Sequence, residues 1–521
     1  MRFIGVHIGH DAGVAVFDEN GQVIFYGQCE RYSRFKNHGF EIDPIGMAFP
    51  DMPTPDEDDV IAVVACEQPG NPDWRGTINI SHEELDYCSP NLVRPYKPLA
   101  KDNLFCKSIG KNPHFYINHH LAHTLSAWCF RPNGDERLFM SYDGAGCDSL
   151  GSLRCYVVGT ISDTGFSEIE DATPIPTSLP VVGLLGYNSA GKSMGLAGYM
   201  PKQDLQPAQF VKVLQYSLNE MYQPRYPFFP PQDQTDENLQ IVANFYRWYM
   251  NETWATLEDN IRRFGAGKGV VISGGTSLAL EINTKLWELT RDVVFGPPTD
   301  DSGLALGAAA FAYYHVKREW PKLTTPALNA LQDPLPEFGP QEPGDIARLL
   351  ASDRVIGLLR GNSETGPRAL GFRSIFASAT EPNLKRVSQQ IKGREFFRPL
   401  APVVTAEAFD KLFAGPKGEY MQFMVSCREE AQRMCPAICH KDLSARPQVV
   451  YRERDPWLHE LLVEYGRLSG VECIINTSLN KNRKPICNTW EDARREMRGK
   501  DLELVSLPHP RWRLAVPGQL I

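Results

Sequence analysis

The sequence predicts a two-domain α/β protein whose N-terminal half carries a duplicated unit. Three observations lead there. A strand, an Asp/Gly-rich turn and a second strand occur at the start of the chain and again after residue 137. At 521 residues the chain is too long for one hydrophobic core. A proline-rich stretch without periodicity, residues 326–343, separates residues 1–325 from 344–521 and reads as a linker.

Composition narrows the class. Hydrophobic residues make up 42% and charged residues 22%, ordinary values for a globular protein. No apolar run reaches the roughly 18 residues of a spanning helix. The opening Met1-Arg2-Phe3-Ile4-Gly5-Val6 enters a strand-like pattern without a signal-peptide layout. The 12 cysteines are scattered, with Cys435 and Cys439 the closest pair and no CxxC. They read as reduced thiols of a cytoplasmic protein, without a disulfide framework or zinc knuckle. A net charge of −9 and a pI near 5.8 exclude broad sequence-independent nucleic-acid binding but leave room for one basic groove.

Residues 3–8 and 14–17 are apolar strands around Gly9-His10-Asp11-Ala12-Gly13, a small-residue turn whose N–H groups suit a phosphate. Asn20-Gly21 then closes a hairpin to residues 23–26. The design repeats where residues 138–142 end at Asp143-Gly144-Ala145-Gly146 and a partner strand spans 154–158. Such a duplication is the signature of the actin-like ATPase fold, two ribonuclease-H-like halves that close over a nucleotide. Between the repeats, residues 30–38 form a dense polar stretch containing Lys36, the composition of a solvated loop.

Ile117-Asn118-His119-His120-Leu121-Ala122-His123 packs three imidazoles into five positions of a chain with only 12 histidines. In a helix, His119 and His123 share a face one turn apart and can hold one metal ion, which still needs two or more ligands. Gly186 to Ser193 fits the spacing GxxxxGKS, but residues 180–185 before it are short and glycine-broken, so a phosphate loop is not expected. Residues 224–231 read as a proline-rich surface loop and 238–264 as a helix.

A buried strand, 269–273, ends at Gly274-Gly275 before a helix through Asn283, which lets a base and ribose approach the backbone. Asp300 and Asp301 precede a small-residue helix, 304–313, where they can cap it or reach a metal. Beyond the linker, basic residues gather at strand ends. Arg368 and Arg373 follow the strand 355–359, Lys392, Arg394 and Arg398 lie in 391–402, and Arg446 lies in 440–448. Asn476 and Ser478 end another strand. Arginine forks, Gly-rich turns and small polar side chains at strand ends suit a phosphate or carboxylate.

These motifs, taken in order, resemble the NodU/CmcH-type carbamoyltransferases. Glu364-Thr365-Gly366-Pro367-Arg368-Ala369-Leu370-Gly371, Lys392-x-Arg394-Glu395-x-x-Arg398-Pro399 and Asn476-Thr477-Ser478-x-Asn480 match the C-terminal signatures. His10-Asp11-Ala12-Gly13, His119-His120-x-x-His123, Asp143-Gly144-x-Gly146, Gly191-Lys192-x-Met194-Gly195-Leu196-Ala197 and Asp301-Ser302-Gly303 match the first domain. Ser-Leu-Asn stands where the family has Ser-Phe-Asn, and the residues before Arg446 follow its pattern only loosely.

The resemblance implies an N-terminal domain similar to the tRNA threonylcarbamoyl transferase and a C-terminal YrdC-like α/β domain. It implies that carbamoyl phosphate and ATP, with Mg2+, form carbamoyl-adenylate in the second domain. The carbamoyl group then passes to an acceptor hydroxyl in the first. The metal ligands carry over onto His119, His123, Asp143 and Asp301, with Fe(II) the ion the family suggests. His120 falls outside that set. His10 would handle the acceptor's proton and Lys36 the carbamoyl oxygen. Gly144, Gly146, Gly274, Gly275 and Asn283 would hold the nucleotide. Arg368, Arg373, Lys392, Arg398, Arg446, Asn476 and Ser478 would hold carbamoyl phosphate and ATP. The acceptor implied is a secondary metabolite, a sugar, or a hydroxymethylated pyrimidine nucleotide or DNA, and no membrane partner is expected. A threonylcarbamoyl-type transferase acting on tRNA, which would normally lack the fused second domain, and a non-catalytic nucleotide-binding relative, which could discard the metal set, are the competing expectations.

Overall fold

The computed structural model describes residues 1–7, 11–36, 49, 51–64, 78–80, 89, 92–98, 114–147, 153–175, 190–220, 235–331 and 333–508. The first sheet contains β1 (Phe3–His7), β2 (Gly13–Phe17), β3 (Val23–Gln28), β4 (Val60–Val64), β5 (Ile78–Ile80), β6 (Val93–Pro98) and β7 (His114–Ile117), in the order β3-β2-β1-β4-β7-β6-β5. The second contains β8 (Arg137–Cys147), β9 (Leu153–Ser162), β10 (Gly165–Glu168), β11 (Gly269–Ser273) and β12 (Val293–Val294), in the order β10-β9-β8-β11-β12. In each, a three-strand antiparallel meander is followed by two parallel strands added beside the first. The same order and directions twice over make this the duplicated ribonuclease-H-like, actin-like architecture expected above.

Helices of the first half are α1 (Cys29–Ser33), α2 (His119–Trp128), α3 (Ala190–Tyr199), α4 (Pro207–Glu220), α5 (Asp236–Phe264), α6 (Leu280–Thr290) and α7 (Leu304–Lys317). Every residue of β1 is buried, because α7 lies along it. The run Leu-Ala-Leu-Gly-Ala-Ala-Ala opens α7 with small side chains, so it can approach β1 on one side and α2 on the other. A Cβ on Gly307 would lie 1.8 Å from the Ala122 carbonyl oxygen, so only glycine permits this helix crossing. Larger apolar groups fill the remaining space, including Phe115 and Phe311 at 5.2 Å between ring centres. Each such burial contributes about 1.5–3 kcal/mol.

Two expectations change in detail. The Asp143-Gly144-Ala145-Gly146 segment is no terminal turn, since β8 runs on to Cys147 with its pairing to β9 interrupted between Tyr142 and Gly146. That irregularity bends the strand locally and re-aims a side chain, which is what bulges do. The Gly191-Lys192-Ser193 triplet lies within α3 and Ser193 is fully buried, so it forms no phosphate loop. Residues 8–10, with His10, and the proposed loop 224–231 lie outside the described residues.

The second half is a mixed α/β layer. Its sheet joins β13 (Ile356–Arg360), β14 (Arg373–Ser378) and β15 (Ala401–Thr405) to β19 (Gln448–Val450), β20 (Cys473–Ser478) and β21 (Glu503–Leu507), in the order β19-β15-β20-β14-β13-β21. A small sheet of β16 (Phe413–Ala414), β17 (Val425–Cys427) and β18 (Ser444–Ala445) stands beside it. Helices Pro343–Ala351 and Pro456–Ser469 pack together over one face through Ile346, Leu350, Leu458 and Leu461. Among the described residues no helix is long and apolar enough to cross a membrane.

The halves are joined by directed polar contacts. Arg31 donates to the Gly366 carbonyl at 2.9 Å, and Arg34 to the Ile486 and Pro485 carbonyls at 2.6 and 2.9 Å. Thr284 and Met424 exchange two hydrogen bonds. Residues 326–343 bridge both sides, with the Ala330 N–H donating to the Tyr26 carbonyl and Asn329 pairing with Ser363.

Glu281, in the first turn of α6, faces this interface beside Lys285, Arg247, Asp442 and Lys202. Burial raises its pKa to about 7 from 4.5, against the pull of Lys285 and Arg247. The folded state therefore holds the extra proton, so this contribution is full below pH 4.5 and lost as pH rises through 7. Glu281→Gln is expected to stabilise the protein at pH 8 by about 1–2 kcal/mol, partial exposure screening the rest, and to change nothing near pH 4.5. Thermal unfolding of both proteins at the two pH values checks this. An equal gap at both would sink it.

Candidate metal centre and basic recess

Four side chains from three elements converge in the first half. Asn118 caps α2 by accepting from the Leu121 N–H at 3.1 Å, which starts the helix so that His119 and His123 point the same way. Asp143 comes from the irregular stretch of β8, and Asp301 opens the short turn before α7. Their donor atoms all lie within 4.8 Å of one another. His123 Nε2 is 3.1 Å from His119 Nε2, from Asp143 Oδ2 and from Asp301 Oδ1, and His119 Nε2 is 3.6 Å from Asp301 Oδ1.

Ligands about 2.1 Å from one ion stand about 3.0–3.4 Å apart, so this donor set fits a divalent metal. Two neutral imidazoles and two carboxylates would balance its charge. Both imidazoles are fully buried, whereas Asp143 keeps 20% of its side chain exposed, so access is from the Asp143 side.

Electrostatics agree with that geometry. Burial holds His119 neutral, helped by the neighbouring His123. Burial also disfavours charge on His123, but hydrogen bonds to Asp143 and Asp301 raise its pKa to about 9. Asp143 is pushed up by burial, yet the His123 contact holds it far below the usual carboxylate range. One proton on His123 thus ties the carboxylates together where a cation would otherwise sit.

Neighbouring groups serve this cluster. The Gly144 and Gly275 N–H groups donate to Asp143 at 2.5 and 3.0 Å. A Cβ on Gly146 would stand 2.5 Å from the His119 ring, so the imidazole lies directly on that backbone. Gly274 turns at φ 80° against Tyr142. His120 bonds the Arg154 carbonyl at 3.1 Å and stays outside the cluster.

Asn283 spends its amide N–H groups on the Ser277 and Gln422 carbonyls at 2.7 and 2.8 Å, which makes it a fastener between the halves. Lys36 is exposed, and its chain neighbours Arg34 and Phe35 reach second-half residues.

In the second half, Arg368, Arg394, Arg398 and Arg446 form a recess of mutually repelling cations. Each is partly exposed. Burial lowers Arg368 to about 10 and Arg394 to about 9, and it also lowers Arg398. Arg446 falls well below its ordinary value through burial and the charges of the other three. Such a cluster is costly without an anion. Lys392 Nζ is held by Asn480 Oδ1 at 2.6 Å and Ser478 Oγ at 3.1 Å, and burial beside Arg394 and Arg398 lowers its pKa strongly.

Two expected anion ligands are placed differently. Arg373 is fully buried and donates to the carbonyls of Asn488, Arg360, Phe372 and Gly361, which uses its N–H groups for structure. Asn476 donates to the Ala369 carbonyl and Gln448, and likewise braces the sheet. Arg394 and Asn480 were not among the expected ligands, although the spacings Lys-x-Arg and Ser-x-Asn carry them. Arg368 faces the first half: the nearby Asp300 charge acts on it, and it lines a cleft with Ser277, Pro297 and Thr299 of the first half and Tyr420 and Gln422 of the second.

The family described as Carbamoyltransferase C-terminus matches residues 347–511. The chain is similar to nodulation protein U of Rhizobium tropici, 38% identical over 41% of this chain and 38% of the relative. It is also similar to nodulation protein NolNO of Sinorhizobium fredii, 28% identical over 93% of this chain and 76% of the relative. The matched stretch spans only 38–40% of the length of the first nodulation proteins U. Among solved structures, full-length HypF in its phosphate- and nucleotide-bound form overlaps 60% of this chain and 47% of its own, with a TM-score of 0.32 and 13% identity.

Proposed function

We propose that the chain is an ATP-dependent O-carbamoyltransferase, a reading supported by the Carbamoyltransferase C-terminus match over residues 347–511 and by the similarity to nodulation proteins U and NolNO. In this reading carbamoyl phosphate and Mg-ATP meet in the basic recess: water releases phosphate from carbamoyl phosphate to leave carbamate, whose oxygen attacks the α-phosphorus of ATP to give carbamoyl-adenylate and pyrophosphate. The carbamoyl group is then transferred to a hydroxyl at the metal centre with loss of AMP. The observation that carries it is a four-donor cluster in the first half together with an arginine recess in the second, whose Arg368 lines a cleft between the halves and feels the charge of Asp300 beside the cluster.

Each residue has a task that its surroundings suit. Arg368, Arg394, Arg398 and Arg446 offer fork-shaped donors to phosphate oxygens. Lys392, tied through Nζ to Ser478 and Asn480, holds the end of the strand carrying Ser478 against the recess. His119, His123, Asp143 and Asp301 would hold a divalent ion, which we assign as Fe(II). When bound, the ion supplies Lewis-acid stabilisation of the departing AMP. Gly275 and Gly144 keep Asp143 aimed at the centre. His10 and Lys36 remain proposed helpers for the acceptor's proton and the carbamoyl oxygen. The acceptor is a hydroxyl of a small molecule, sugar or modified nucleotide.

Incubating the full chain with carbamoyl phosphate, Mg-ATP and a panel of hydroxyl acceptors tests this. Acceptor-dependent AMP release and acceptor-independent ATP–pyrophosphate exchange are expected. No AMP release with any acceptor in the panel, together with no ATP–pyrophosphate exchange, is the refuting result.

A further inference from the structure

The recess contains one carboxylate whose presence is unfavourable for its own ligand. Glu395 lies in the sequence between Arg394 and Arg398, and its Oε1 is 2.9 Å from Nζ of Lys192, which belongs to the first half. Its Oε2 is buried without a hydrogen-bond partner among the described residues, and Arg398 stands 3.7 Å away. Side-chain exposures of 19% for Lys192 and 26% for Glu395 leave the pair largely shielded from solvent. Lys192 is brought there by α3, whose Gly195 and Gly198 let the helix lie against the second half. A Cβ on Gly195 would be 3.4 Å from Pro399, and one on Gly198 2.6 Å from His440.

We propose that Lys192 is a positioning residue for polyphosphate binding, a cation lent by the first domain to neutralise Glu395 and free the arginines for the anion. The inference rests on the reading of the recess as a phosphate site and assigns its control to the docking of α3. Without Lys192, Glu395 would draw Arg398 closer than its present 3.7 Å and repel an arriving phosphate across a poorly screened distance. With Lys192 in place, Glu395 is already paired, and Arg394 and Arg398 can turn both forks to the ligand. The first domain thus sets the affinity of a site built by the second. This accounts for a Gly-Lys-Ser triplet that has the residues of a phosphate loop but lies inside a helix.

Calorimetric titration of the full-length protein with Mg-ATP and with inorganic pyrophosphate tests the inference. Lys192→Met should weaken both probes by on the order of tenfold, and Lys192→Arg should restore binding. Glu395→Gln in the Lys192→Met background should also bring affinity back to near that of the parent, which loss of packing alone would not allow. Circular dichroism of each variant confirms the folded state. Unchanged affinity in Lys192→Met, or a loss that persists in the double variant, overturns the role of Lys192. Failure of the parent protein to bind either probe instead overturns the reading of the recess itself, and this inference with it.

Discussion

Replacing both His119 and His123 by alanine is expected to empty the metal centre and stop carbamoyl transfer, while adenylate formation continues. The two imidazoles supply half of the donor set and are its fully buried half, so no water-exposed substitute stands ready. Metal content should fall from about one equivalent to none. Transfer should drop at least about 10³-fold, the scale of several kcal/mol of lost charge stabilisation. ATP–pyrophosphate exchange should stay within about twofold of the parent, because the arginine recess belongs to other elements. Metal analysis and the two assays side by side provide the check. Loss of both activities together would mean that the sites are not separate.

Arg446→Ala should show opposite signs in two measurements. Its guanidinium is pushed from its ordinary charge state by burial and by Arg368, Arg394 and Arg398. Removing it relieves repulsion, so the ligand-free protein should gain about 1–2 kcal/mol and melt higher. The same change removes charge-assisted bonds to phosphate and should weaken Mg-ATP by about 100-fold. Thermal unfolding with and without Mg-ATP reads both effects. A lower melting temperature without ligand would show that Arg446 holds the fold together.

What could be read in advance followed from local periodicity. His119 and His123 share a helix face because of a spacing of four, and Asn20-Gly21 marks a hairpin through its own backbone preferences. The actin-like duplication was visible for the same reason, as two strand pairs with similar turns. Long-range relations were not visible in this way. Nothing local shows that Arg373 would spend its donors on main-chain carbonyls, or that Asn283 would fasten α6 to Gln422. The pairing of Lys192 with Glu395 joins residues that only the docked halves bring together. The continuation of β8 through Asp143 was equally hidden, because a glycine-rich segment reads as a turn until a partner strand is seen beside it.

The backbone at Gly146 offers a way to sort relatives. Because the His119 ring rests on that main chain, a side chain of any size there pushes the imidazole off its line to His123 and Asp301. A homologue could keep all four ligands and still hold its ion poorly if position 146 were alanine or serine. Glycine at that position is therefore a marker of a working centre to be scored beside the four ligands, and it can be read from sequence alone.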